Sequence, residues 1–275
     1  MPIVLTEQQI AFYRKNGYLV PFDGVEASEA AAMCDDLDAF EREEGMLASE
    51  IIVKGHLCFR RSYEFSRHPK ILDVVEDLIG PNIYALSSRF WMKPGRDGSF
   101  VSWHQDSAYF GLEPNELVTV WLALTASTPG NGCVRVIPGT HEGPAYEHKE
   151  TYDEKNLLAR GQTIETIDDS NAVDLTLKAG QFSCHHERIV HGSAGNNTDT
   201  MRIGVGIFYF PAHVRSTIGR RSASLVRGFD EHGHWDADPV PTTDRDAEVY
   251  ELVRAAGERY VDPQFAQEAA RIVGK

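Results

Sequence analysis

The sequence predicts an α+β fold built around a β-barrel or double-sheet jelly roll, and three observations carry that prediction. Helical periodicity is confined to the stretch before Gly80 and to the region after Asp244. Between Ile83 and Phe210 the apolar pattern shortens to that of strands, in runs rich in β-branched and aromatic residues. Gly, Pro, Asn or Asp clusters separate most of those runs, as turns between short strands require. With 275 residues and no linker, repeat or low-complexity tract to divide them, the expectation is a single domain over 1–275, its barrel at about 80–215.

Taken in order, Thr6-Glu-Gln-Gln9 is a capping box that opens a short helix, stopped by Gly17. Gly24 to Gly45 predicts an amphipathic helix with Ala30, Ala31, Cys34, Leu37 and Phe40 on its buried stripe and an acidic outer face. A third helix is expected from Pro69 to about Leu78, ended by Gly80-Pro81. Seven strands are expected at 83–92, 100–104, 117–126, 133–137, 172–177, 181–185 and 202–210. Residues 141–171 are polar and interrupt the pattern, as a long insertion or lid would. A helix near Asp244–Arg259 and a final short one close the chain.

Composition excludes several classes of function. Lys and Arg total 27 against 41 Asp and Glu, a net charge of −14, which argues against nucleic acid and anionic membrane surfaces as partners. No apolar run approaches the roughly 18 residues a membrane span needs. Cys34, Cys58, Cys133 and Cys184 form no CxxC pair, so neither a disulfide framework nor a structural zinc site is expected, and a cytoplasmic setting is. The partner expected is a small-molecule substrate.

The 11 histidines carry more information than the charge. Four His-x-Asp/Glu pairs occur, His104/Asp106, His148/Glu150, His185/Glu187 and His234/Asp236, where chance alone gives roughly one or two. His148 lies in the polar insertion and His234 in an Asp/Pro-rich tail, so both read as solvated surface. His104-Gln-Asp106 instead ends an apolar strand, and residues i and i+2 of a strand point to one face. A third ligand is offered by 180–193, where His191 sits at another strand end before Gly192-Ser193. Two histidines and one carboxylate on one face of an octahedral metal are the donor set of non-haem Fe(II) oxygenases. His185 and His186 stay open, because alternation puts His185 on the face of His191 and a turn between them would undo that.

An oxygenase that uses 2-oxoglutarate also needs a cation for the far carboxylate of that dianion. The even face of 202–210 is Arg202, Gly204, Gly206, Phe208 and Phe210, and the two glycines would leave room for a ligand to reach the guanidinium. The odd face, Ile203, Val205, Ile207 and Tyr209, reads as packing. Trp91, Trp103 and Tyr109 read as core with substrate contact as their alternative, and Lys54 with Arg60-Arg61 as a solvated face whose alternative role is to bind an anionic substrate.

These fragments together resemble the phytanoyl-CoA dioxygenase family of Fe(II)/2-oxoglutarate-dependent oxygenases. The matching pieces are Trp103-His-Gln-Asp106, Trp121 within Val-Thr-Val-Trp-Leu-Ala-Leu, and Asn131-Gly-Cys-Val-Arg-Val-Ile-Pro-Gly-Thr-His141, then His191-Gly-Ser193 and Arg202. The N-terminal Tyr13-Arg-Lys-Asn-Gly-Tyr-Leu-Val resembles the family's opening. The resemblance implies a double-stranded β-helix with flanking helices, iron held by His104, Asp106 and His191, and Arg202 on the distal carboxylate of 2-oxoglutarate. Gln105, Trp121 and Ser193 match positions that line the co-substrate pocket. Related halogenases carry a small residue where Asp106 stands, so the resemblance implies hydroxylation of an unactivated C–H by O2, with release of succinate and CO2. The expected substrate is a small polar or natural-product-type metabolite, met by the segments 46–61, 107–116 and 141–171. The alternatives are an anionic substrate, phosphonate or acyl-CoA, and a non-oxidative cupin-type isomerase that would not need Arg202.

Overall fold

The first helix, α1 (Glu7–Asn16), forms as its capping box dictates: Gln9 N donates to Thr6 Oγ1 at 3.2 Å and Thr6 N to Gln9 Oε1 at 2.9 Å. Gly17 ends it at φ +82°, a left-handed cap that a side chain would strain. The computed structural model describes residues 2–151, 153–158 and 161–261, so the short final helix expected beyond Arg259 lies outside the described residues.

Next come β1 (Tyr18–Asp23), α2 (Ala27–Glu44), α3 (Arg60–Phe65) and α4 (Pro69–Ile79). The buried stripe of α2 is Ala30, Met33, Leu37 and Phe40; Ala31 is exposed, contrary to expectation, because a residue one place on is turned by about 100° around the helix. Eight strands and a short helix follow: β2 (Ile83–Lys93), β3 (Val101–His104), α5 (Ser107–Phe110), β4 (Leu112–Glu113), β5 (Val118–Ala123), β6 (Val134–Ile137), β7 (Lys149–Glu150), β8 (Gln162–Thr163) and β9 (Val173–Leu175). The chain ends in β10 (Gln181–His186), β11 (Val190–Ser193), β12 (Arg202–Pro211), β13 (Arg215–Ser216), β14 (Ser222–Arg227), β15 (Asp236–Ala237) and α6 (Ala247–Val261). Every expected run is a strand. The expectation undercounts them, since β1 is interrupted by Pro21, and β14 and the two-residue strands are too polar or too short to stand out in sequence.

Two sheets make the double-stranded β-helix. The larger runs β1-β10-β5-β12-β2-β14-β15 and the smaller β3-β11-β6-β9. Their inner faces meet through Trp121 and Ala123 from one and Val134, Val136 and Leu175 from the other. The outer face of the large sheet is covered by helices, where Met33, Phe40 and Val75 pack on Val120, Leu122, Val205 and Ile207.

The faces of β12 divide as the alternation predicts, with Ile203, Val205, Ile207 and Tyr209 all in that helix-covered core. Its partner β2 slips by one residue opposite Phe208/Tyr209. Beyond the slip, Arg89, Trp91 and Lys93 stand opposite Gly206, Gly204 and Arg202. A bulge of one residue thus decides which half of β2 faces the barrel interior.

The polar insertion is docked on the small sheet. Its strands β7 and β8 pair, Ile164 N donates to Trp103 O at 2.8 Å, and Leu157 N donates to Phe100 O at 2.9 Å. Among the described residues no helix is long and apolar enough to cross a membrane.

Candidate active site

Strand register brings the two key histidines together. His104 ends β3, His191 lies directly opposite it on β11, and their rings are 4.1 Å apart. Asp106 follows at the entry to α5, with Oδ1 3.5 Å from His104 Nε2 and 3.8 Å from His191 Nε2. The three ligand atoms lie within 4.8 Å of one another, and all three residues are buried.

The surrounding hydrogen bonds orient these atoms. His104 Nδ1 is 2.8 Å from Ser102 O, and His191 Nδ1 is 3.1 Å from Ile189 O. A carbonyl only accepts, so each Nδ1 carries the proton and each Nε2 presents a lone pair to the cluster. Thr119 Oγ1 donates to Asp106 Oδ2 at 2.8 Å, leaving Oδ1 for another partner. Burial by itself would raise the Asp106 carboxyl, but the facing His191 and His104 outweigh it and hold the group well below the usual carboxylate range. Burial, with His104 beside it, pushes His191 well below the ordinary imidazole value. A neutral imidazole and an ionised carboxylate are the forms a metal ion takes.

His185, left open by the sequence, belongs to this cluster. It stands opposite Thr119 in the β10–β5 register, its Nε2 lies 3.9 Å from Asp106 Oδ2, and neither ring nitrogen has a hydrogen-bond partner. Burial lowers it to about 4. His186 faces the other way, toward His141 and Tyr13.

Behind the trio lies a small inner pocket of about 40 Å³, with Thr119, Trp121, His185, Ser193 and Arg202 in its wall. Arg202 is buried; its Nη2 donates to Gly132 O at 2.9 Å, and its Nε has no partner. The room expected beside Gly204 and Gly206 is not open. A Cβ on Gly204 would collide with the Trp121 indole, and one on Gly206 would lie 3.1 Å from Trp91 Nε1. The glycines therefore seat two tryptophans, one of which lies under the Arg202 guanidinium at 5.2 Å.

Lys93, absent from the sequence reading, is fully buried opposite Arg202. It donates to Ser193 Oγ, to Ser193 O at 3.2 Å and to Ala194 O at 2.5 Å. Burial and the charge of Arg202 push its ammonium down to about 7. The signal that could have found it is the pair Arg89 and Lys93, two charges on one face of an otherwise β-forming strand, with Trp91 between them. Gln105, expected at the co-substrate, lines neither cavity. Its Nε2 donates to Arg188 O at 2.6 Å and its Oε1 accepts from Tyr146 N at 2.9 Å, so it ties the insertion to the barrel.

An outer cavity of about 340 Å³ shares Trp91, His104, Asp106 and Phe208 with the inner one. Each segment expected to face substrate contributes to it: Ile52 and Lys54, Tyr109 and Phe110, and Leu158. Helix α6 adds Ala255, Ala256, Arg259 and Tyr260, which nothing in the sequence suggested. Trp103 does not line it.

Two surface expectations need correction. Lys54 is buried and paired with Asp238 at 2.7 Å, while Arg60 turns to Glu64 and Arg61 to Asp36, so the basic cluster is not one solvated face. His148 is half-buried; its Nε2 accepts from Gln105 N at 2.9 Å, because the insertion folds back over the strand end.

Two imidazole Nε2 atoms, one carboxylate oxygen and a buried guanidinium with a spare N–H are the donor set that iron(II) and 2-oxoglutarate require. The fold and site define an Fe(II)/2-oxoglutarate-dependent oxygenase with a double-stranded β-helix core. The family model for phytanoyl-CoA dioxygenase (PhyH) matches residues 13–204, and the chain belongs to that family.

A solved structure described as the non-heme monooxygenase ThoJ, in its apo form, is 30% identical, covering 94% of this chain and 98% of that one, with a TM-score of 0.82. Peroxisomal phytanoyl-CoA dioxygenase of Bos taurus is 29% identical over 76% of this chain and 70% of its own length. A probable alpha-ketoglutarate-dependent hypophosphite dioxygenase of Stutzerimonas stutzeri is 29% identical over 66% of this chain and 64% of its own.

Proposed function

We propose that His104, Asp106 and His191 hold the iron, and that Arg202 takes the distal carboxylate of 2-oxoglutarate between the Trp121 and Ser193 walls. The outer cavity then receives a small metabolite whose unactivated C–H is hydroxylated. The observation that carries this reading is the position of the trio, at the seam where the inner and outer cavities meet. Iron with its co-substrate supplies the oxidising power, consuming O2 and releasing succinate and CO2.

The chain's residues do the rest. Ser102 O and Ile189 O fix the tautomers of the two imidazoles, and Thr119 holds the carboxylate with one oxygen free. Trp91 and Phe208, shared by both cavities, place apolar surface where water must be excluded. A carboxylate at Asp106 favours hydroxylation over halogenation. Four free cysteines support a cytoplasmic setting, and we take the chain as one domain, since the helices, the large sheet and α6 share one core and the small sheet packs on the other face of that sheet.

Succinate formation from 2-oxoglutarate with Fe(II), on wild type and His104→Ala, tests the reading across a metabolite library. Iron-dependent succinate in wild type and none in the variant is the expected result. A wild type that binds no iron and makes no succinate with any compound would sink it, and metal-dependent isomerisation without succinate would favour the cupin-type alternative.

A further inference from the structure

The outer cavity opposes the charge of the chain that builds it. The molecule carries a net −14, yet among the described residues this wall holds Lys54, Arg89, Arg221 and Arg259 against one carboxylate, Asp106. Lys54 is answered by Asp238, at 2.7 and 2.8 Å from its two oxygens. Arg89 and Arg221 are not: among the described residues neither has a carboxylate within 4.0 Å.

What these two guanidiniums do have leaves donors over. Arg89 gives one N–H to Leu157 O at 2.8 Å, lies 4.3 Å above the Trp91 ring, and its buried Nε has no partner. Arg221 donates to Ser216 Oγ at 3.0 Å and to Phe110 O at 2.7 Å. Burial lowers both to about 10, with the nearby charge of Arg259 adding to the effect on Arg221, so both stay cationic at neutral pH. Desolvated cations without a counter-charge are costly, and a ligand that brings the missing anion would recover that cost. A guanidinium's fork suits an oxyanion.

The rest of the wall is apolar and includes Ile52, Leu86, Trp91, Phe110 and Phe208. Arg89 and Tyr109 line the same cavity, and Tyr109 packs edge-on against His104 at 5.9 Å. The cationic end and the candidate iron ligands thus bound one chamber.

We infer that the substrate is an amphiphilic acid, an apolar carbon skeleton lying against Trp91, Phe110 and Phe208 with an oxyanion, carboxylate or phosphoryl, on Arg89 and Arg221. This deepens the oxygenase reading and rests on it for the fate of the C–H bond. It narrows the expectation of a small polar or natural-product-type metabolite, since among the described residues the charged side chains of this wall other than Asp106 are cationic, and it moves the anion site from the Lys54/Arg60/Arg61 cluster to Arg89 on β2 and Arg221 just before β14. Lys54, already neutralised, bounds the site without supplying its charge.

Calorimetric titration of the full chain, saturated with 2-oxoglutarate and without O2, tests this with octanoate, octylphosphonate and octanamide. Wild type is expected to bind at least one acid on the order of tenfold more tightly than the amide. Arg89→Gln, or Arg221→Gln should the first fold poorly, is expected to bring acid and amide within about twofold. Preference for octanoate assigns the carboxylate, and preference for octylphosphonate the phosphoryl group. No acid preference in wild type, or one that survives both substitutions, overturns the proposal. Iron content and 2-oxoglutarate affinity, measured on the same samples, report separately on the oxygenase reading: their loss with acid preference intact would remove that reading and leave the anion site standing.

Discussion

The two chambers that meet at His104 and Asp106 are built by opposite rules. The inner one is made almost wholly from strand residues of the two sheets, Thr119, Trp121, His185, His191 and Arg202, each placed by ladder register. The outer one has one floor of paired strands, β2 with β12 and β14, and its remaining wall is assembled from the 52–54 segment, α5, the insertion and α6, which no ladder ties to one another. A ladder fixes a side chain to within a strand spacing and passes any error along its whole length. Loops and a docked helix can shift without disturbing the barrel. The inner end is therefore the more rigid part of the molecule, and the loop-built wall of the outer end the part freer to change.

If that contrast holds, damage should be largest at the seam and smallest at the outer wall. Asp106→Ala removes a carboxylate that faces three imidazoles, and a loss of more than about a hundredfold in iron-dependent succinate formation is expected, with iron content falling in parallel. Retained iron and turnover would show that the trio is not the metal site. Arg202→Gln keeps size and removes charge; the KM for 2-oxoglutarate should rise by about tenfold to a hundredfold while iron binding is unchanged.

Gly204→Ala probes ladder rigidity itself, since its methyl must displace the Trp121 ring. Up to about 3 kcal/mol of stability should be lost, against about 0.5 kcal/mol for Ala256→Val on half-buried α6 surface. Equal costs in chemical denaturation would erase the distinction between the chambers.

The outer wall also rests on a buried polar chain. His56 Nε2 lies 3.2 Å from Ser224 Oγ, which donates to Asp238 at 2.9 Å beside Lys54. Burial first, then the charges of Lys54 and Arg67, push His56 down to about 3 in spite of Asp238. Its folded value lies below the unfolded 6.5, so the stability of neutral His56 is complete above pH 6.5 and is lost as pH falls toward 3. Between pH 7 and pH 5 that amounts to about 2 kcal/mol. Melting curves of wild type and His56→Gln should converge in their pH slope only if His56 is not the cause.

Much of this molecule is legible in one dimension. The Thr6 box, the packed odd face of β12 and the adjacency of His104 and Asp106 depend on neighbours within a few residues, and the structure has them where they were expected. What escaped was set at a distance. Lys93 and Arg89 face inward because of a one-residue slip in β2 that nothing in 83–93 announces. His185 joins the cluster only because β10 runs unbroken past β5. Gln105 sits inside the motif yet spends its amide on Arg188 and Tyr146, partners more than forty residues away whose positions depend on how the insertion docks.

The sequence by itself determined the candidate donors, the strand ends that offer them, and the reaction class, because alternation and spacing are local consequences of backbone geometry. Only the tertiary structure decided what those donors face. It filled the space beside Gly204 and Gly206 with indoles, broke up the Lys54/Arg60/Arg61 cluster, and gathered Arg89 and Arg221 into one chamber. Charge placement across such a chamber depends on which elements pack together, and packing is a property of the folded chain and not of any segment of it.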